Sequence, residues 1–246
     1  MQYEEVSWYS ERLHRDMGIK IYGHYGTPVI AFPCQDKGND DFYHHGMIDA
    51  LAPLIEAGRM KLFCLATNDD VTVSHKDWDH GKAAYELEQY HHYLVEEVLP
   101  FVMQKQGGPC LPILVGASMG GSHAANHFFR RPDLFGGFIS LSCSFDLARF
   151  FPDYFDVNVY NNSPVHYLRN MPWDHPYIHQ YNQRVMHAVV GSGAYEHLVD
   201  YTYHWLQEIT DEKGIHVQYH YWDQNSIHDW PSWRYQLPYF LNEILS

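Results

Sequence analysis

The sequence predicts an α/β fold, a mostly parallel sheet with helices on both faces, and three observations carry that expectation. Short apolar runs alternate with longer amphipathic ones along most of the 246 residues, the rhythm of strand and covering helix that buries a parallel sheet. One apolar run, Leu111-Pro-Ile-Leu-Val115, leads into Gly116-Ala-Ser-Met-Gly-Gly121, a G-x-S-x-G turn between a strand and a helix. A histidine, His228, follows the last strand-like run and precedes the last helical one. A single domain holds all of this, because the chain is long enough for one sizeable core and too short for two comfortable enzyme domains.

In chain order, the opening segment through Lys20-Ile-Tyr-Gly-His-Tyr25 supplies edge strands. Residues 28–32 and 60–66 are short buried strands. Residues 40–58 between them form a loop and then a helix with Met47, Leu51, Leu54 and Ile55 on one side. Ala84, Leu87, His91, Leu94, Val95 and Val98 recur at helical spacing, which predicts a long helix over about residues 82–104, ended or kinked by Pro100. The strand and helix around Ser118 follow, then a strand over 137–142. Residues 185–190 and 215–222 are the last strands, separated by a helix in which Leu198, Tyr201, Trp205 and Ile209 lie about one turn apart. Residues 233–245 are the last helix, with Pro231 near its start. Between Cys143 and Gln183 the rhythm breaks into an aromatic-rich stretch (about 143–183) that includes Phe145, Phe151, Tyr154, Tyr167 and Tyr181. This insertion either caps the site and excludes water or packs as a satellite cluster on the sheet.

The chemistry starts at Ser118. In the strand–turn–helix context the serine stands on a tight turn, and glycines at 116, 120 and 121 allow backbones to approach. Its hydroxyl lies at a helix N-terminus, where unpaired N–H groups favour developing negative charge. A serine nucleophile needs a base, and position rather than abundance singles out His228 among 19 histidines. The third member of a triad in this order is a carboxylate after the preceding strand. Glu196, in Gly191-Ser-Gly-Ala-Tyr-Glu196, is preferred, with Asp200, Asp223 and Asp146 as rivals. Acyl transfer also requires two N–H donors for the oxyanion. Met119 N–H, just after the nucleophile, is one. The other belongs to the loop Pro33-Cys34-Gln35-Asp36; Pro33 has no N–H, which leaves Cys34 or Gln35.

Other functions find less support. A net charge of −14, from 30 acidic against 16 basic residues, opposes a nucleic-acid partner and an anionic membrane surface. No stretch approaches the roughly 18 consecutive apolar residues of a spanning helix, and residues 1–8 lack the basic flank and apolar core of a signal peptide. Cysteines 34, 64, 110 and 143 are sparse and form no C-x-x-C pair, which suits reduced thiols and a cytoplasmic location. Adjacent histidines at 44–45 and 91–92 point about 100° apart on a helix. With no H-E-x-x-H, they and His75 and His80 predict no metal site. No G-x-G-x-x-G follows a strand and no P-loop is present, so no nucleotide cofactor is expected.

Four stretches together resemble a known family: Gly46-Met-Ile-Asp-Ala-Leu51, Gly116-Ala-Ser-Met-Gly-Gly121, Arg131-Pro-Asp-Leu-Phe-Gly136 and His228-Asp-Trp-Pro-Ser-Trp-Arg234. The chain resembles the esterase family of α/β-hydrolases that includes S-formylglutathione hydrolase-type, feruloyl and acetyl esterases and acyltransferases, and looks closer still to a bacterial branch of small esterase-like proteins. The resemblance implies an α/β-hydrolase fold, Ser118 as nucleophile and His228 as base. It also implies an Asp in the turn where this chain has Ala194, which leaves Glu196 as the nearest carboxylate. The expected activity is hydrolysis of a small carboxylic ester through an acyl-enzyme. The alternatives are acyl transfer by the same residues and a non-catalytic binding role on a hydrolase scaffold.

Overall fold

The computed structural model describes residues 1–75 and 79–245. Its centre is an eight-stranded sheet in the order β1-β2-β4-β3-β5-β6-β7-β8. Strands β1 (Tyr3–Ser10) and β2 (Arg15–Tyr22) form an antiparallel hairpin at one edge, and β2 pairs antiparallel with β4 (Met60–Leu65). From there the sheet is parallel: β4, β3 (Thr27–Phe32), β5 (Ile113–Ala117), β6 (Gly137–Leu141), β7 (Val185–Val190) and β8 (Gln218–Tyr221).

Side-chain alternation explains why the central strands are apolar throughout. In β3, Val29 and Ala31 enter one core layer while Ile30 and Phe32 enter the other, as a sheet covered on both faces requires. The first layer lies under α2 (Met47–Glu56) and α10 (Trp230–Ile244), with Leu51, Ile55, Trp233 and Leu237 buried. The four-residue α1 (Asp41–His44) precedes α2. The second layer lies under α3 (His80–Tyr93), α4 (Leu99–Gln106), α5 (Met119–Arg130) and, past the insertion, α9 (Asp200–Lys213).

Two helices differ from expectation. The helix expected over 82–104 is α3 joined to α4 through a π-helical turn, Leu94–Val98. Pro100 lies in the first turn of α4, where its missing N–H is absorbed by the change of hydrogen-bond pattern. In α9 the buried face is Tyr203, Leu206 and Ile209, whereas Leu198 and Trp205 are exposed. Leu198 falls outside the helix, in a 3-10 turn before α9, and Tyr203 turns its ring into the core, where its hydroxyl finds partners. That hydroxyl donates to Val189 O at 2.8 Å and accepts from Cys143 N–H at 3.0 Å.

The stretch after β6 is helical: a 3-10 turn at Leu147–Phe150, then α6 (Val157–Asn161), α7 (Pro164–Tyr167) and α8 (Pro176–Tyr181). Phe145, Val165, Leu168 and Tyr181 are part of the second core layer. Leu147, Phe151 and Val159 form a separate apolar cluster with Met119, Ala83, Ala84 and Leu87. The insertion is therefore anchored in the body of the domain and reaches the residue after Ser118.

Candidate active site

Parallel strands deliver their C-terminal ends to one edge, and the candidate residues gather there. Ser118 follows β5 with φ 53° and ψ −124°, a conformation disfavoured for an L-residue. Its N–H donates to Leu141 O at 2.8 Å, which fixes the turn against β6. Gly120 is obligatory here, since a Cβ would stand 2.3 Å from Phe32 O and 2.6 Å from Pro33 O. The loop after β3 thus passes directly over the first turn of α5.

His228 reaches the serine from the loop between β8 and α10. Its Nε2 is 3.0 Å from Ser118 Oγ, so with the ring proton on Nδ1 the hydroxyl donates to the imidazole. Trp233 packs edge-on against the ring, centroids 5.3 Å apart. The histidine loop is stitched to the turn after β7: Gly193 N–H donates to Ser226 O at 2.9 Å and His228 N–H to Ala194 O at 3.0 Å. Gly193 permits this contact, because a Cβ would lie 2.6 Å from Ser226 O.

That stitching brings Glu196 under the imidazole. The carboxylate is fully buried, with Oε2 3.6 Å from His228 Nδ1. Its other oxygen, Oε1, accepts from Ser142 Oγ at 2.7 Å, and Ser142 Oγ accepts from Trp233 Nε1 at 3.0 Å. Ser142 and Trp233 therefore hold the acid. Sequence reasoning did not single them out; Ser142 read as the end of a strand, and its positive φ of 48° has no local signature. Two of the rival carboxylates have other partners. Asp146 caps Ala148 N–H and accepts from Ser163 Oγ, exposed Asp223 turns back on Asn225, and Asp200 lies in the first turn of α9.

The donor loop requires a correction. Cys34 N–H is consumed by the Asp41 carboxylate, to which it donates at 2.8 Å, so it is unavailable to an oxyanion. Burial, and then the adjacent Asp41 charge, push the Cys34 thiol far above its ordinary value. Gln35 N–H has no acceptor among the described residues, while Met119 N–H sits at N1 of α5, beyond the reach of any intrahelical acceptor.

The histidine pairs have local partners. His44 lies 2.9 Å from Asp40, His45 lies 3.0 Å from Asp41, and His75 Nε2 lies 3.3 Å from His80 Nδ1. Buried His91 meets His127 at 3.0 Å, and burial lowers both well below the ordinary histidine range. Among the described residues no three potential ligands gather to hold a metal ion, and no helix is long and apolar enough to cross a membrane.

The family model described as "Putative esterase" matches residues 10–244. The chain belongs to this esterase family. It is accordingly a carboxylic ester hydrolase. No curated protein matches it by sequence. Among solved structures it is similar to a ferulic acid esterase (TM-score 0.74, 16% identity, covering 99% of this chain and 98% of that one). It is also similar to MPT51 of Mycobacterium tuberculosis (0.70, 17%, 100% and 98%). An S-formylglutathione hydrolase of Agrobacterium tumefaciens gives 0.67, 15%, 99% and 92%. At such identities these likenesses show the shared α/β-hydrolase fold.

Proposed function

We propose that this esterase works as a serine hydrolase, with Ser118 as nucleophile, His228 as general base and acid, and Glu196 as the carboxylate behind the imidazole. The observation that carries this reading is the 3.0 Å hydrogen bond between Ser118 Oγ and His228 Nε2, with Glu196 Oε2 facing His228 Nδ1 at 3.6 Å, an ion-pair approach longer than a hydrogen bond. Ser118 Oγ attacks the acyl carbon as its proton passes to His228 Nε2. The ester C–O bond then breaks, His228 returns the proton to the departing alkoxide, and the acyl group remains on Ser118. Water enters by the same route in reverse and releases the acid.

Negative charge forms on the carbonyl oxygen in each half-reaction, and the N–H groups of Met119 and Gln35 are the donors assigned to it. Glu196 stabilises the imidazolium and holds its proton-bearing Nδ1 away from the serine. An aligned serine–histidine hydrogen bond favours catalysis over a binding-only scaffold. Leu147 and Phe151 pack with Met119, the residue after the nucleophile. Fluorophosphonate labelling followed by intact-mass and peptide mapping tests the reading. The expected result is one adduct on Ser118, absent in Ser118→Ala and strongly slowed in His228→Ala. Folded wild-type protein without an adduct would refute it. Acyl release measured with and without added alcohols or thiols separates hydrolysis from acyl transfer.

A further inference from the structure

The loop over the nucleophile is held by two buried carboxylates that take no part in the triad. Residues 34–37 form a β-turn closed by Lys37 N–H to Cys34 O at 3.1 Å, with Asp36 at φ 60° as the third position of a type II turn requires. Such a turn leaves the N–H groups of both central residues, Gln35 and Asp36, pointing outside it. Asp69, fully buried, accepts the Asp36 N–H on Oδ2 at 3.2 Å and faces fully buried His123 through Oδ1, also at 3.2 Å. Asp41, its side chain 1% exposed, accepts the Cys34 N–H on Oδ2 at 2.8 Å, while its Oδ1 lies 3.0 Å from His45 Nδ1. The His45 ring stacks on Trp230 with centroids 4.5 Å apart, two residues beyond His228.

Resting on the serine-hydrolase reading above, we propose that Asp41 and Asp69 are positioning residues for the oxyanion site. By capturing the amides on either side of Gln35, they fix the loop so that the Gln35 N–H is the donor it presents to the tetrahedral intermediate. Asp69 is held on its far side by the hydrogen bond with His123, while His45, bonded through Nδ1 to the Asp41 backbone carbonyl at 2.9 Å, stands beside the Asp41 carboxylate. The Cys34 Sγ contact with Ala117 O at 3.7 Å keeps the same loop against the residue before the nucleophile. A donor that is already aimed needs no reorganisation as charge develops, which is where oxyanion stabilisation gains most.

The test combines kinetics with a folding-independent measurement. Gln35→Pro deletes the N–H while suiting the second position of a type II turn, and Gln35→Ala keeps it. The proline variant should have a kcat about 100-fold below the alanine variant, with KM little changed. Asp41→Ala and Asp69→Ala should each lower kcat about 10- to 100-fold at similar KM, the Asn variants should recover most of it, and neither Ala change should cost more in the Gln35→Pro background. Independently, the wild-type amide proton of Gln35 should shift when a boronic acid adds to Ser118, with those of Cys34 and Asp36 nearly still. Unaltered kcat in folded Asp→Ala variants, or a boronate response at Cys34 or Asp36 in place of Gln35, would overturn the positioning role alone. Absence of any Ser118 adduct would overturn the hydrolase reading, and the positioning role with it.

Discussion

Glu196→Gln preserves the size of a buried side chain and the acceptor that Ser142 needs, but removes the charge facing His228. At 3.6 Å, and with the effective dielectric of about 20 suited to protein sites, a carboxylate stabilises a neighbouring imidazolium by about 4–5 kcal/mol. Imidazolium exists only once Ser118 has given up its proton, so that stabilisation acts on the transition state and little on the Michaelis complex. At about 1.4 kcal/mol per decade, kcat should fall by roughly 10³. The loss is comparable to the roughly 10⁴ known for removing the charge of a triad acid. The assay is steady-state turnover of p-nitrophenyl acetate near pH 7.5, with Ser118→Ala as the floor and fluorophosphonate labelling rate as a second readout. KM should stay within a few-fold, and thermal unfolding should confirm an intact fold. Turnover within about three-fold of wild type would refute the role of Glu196, and Asp200, the acid nearest in sequence, would be tested next.

Three further outcomes are expected. Ser118→Gly should be more stable than Ser118→Ala by about 1 kcal/mol, or about 2–4 °C in Tm, because only glycine relieves the strain at φ 53°; equal melting temperatures would argue against a strained nucleophile. Ser142→Ala leaves Glu196 Oε1 and Trp233 Nε1 buried without partners, which should cost about 1–3 kcal/mol in urea unfolding and lower kcat as the acid loosens. His187 is pushed down to about 4, first by burial and then by His220. The unfolded chain therefore takes up the proton first. Its contribution, at most about 3 kcal/mol, is present above pH 6.5 and lost as pH falls towards 4. His187→Asn should flatten that part of the stability–pH curve, and an unchanged slope would exclude His187 as its source.

Local chemistry made much of this protein legible before its structure. A continuous apolar strand followed by Gly-Ala-Ser-Met-Gly-Gly specifies a tight strand-to-helix turn wherever it occurs, since only glycine tolerates the approach of Phe32 O at position 120. The alternation of runs likewise announced a covered parallel sheet, and His228 was marked by its place after the last strand. Other features depend on partners distant in the chain. Glu196, preferred over Asp200, Asp223 and Asp146 only for its place in the chain, comes to face His228 because two loops are joined through Gly193 and Ser226. Cys34 and Gln35 were interchangeable as donors until Asp41 claimed the Cys34 amide, a competition decided by a side chain on α1. The buried face of α9 likewise includes Tyr203, whose hydroxyl reaches Val189 and Cys143. Short-range sterics and hydrophobic periodicity are written residue by residue. The pairing of buried polar groups is settled only when packing removes water and each donor must find a specific acceptor.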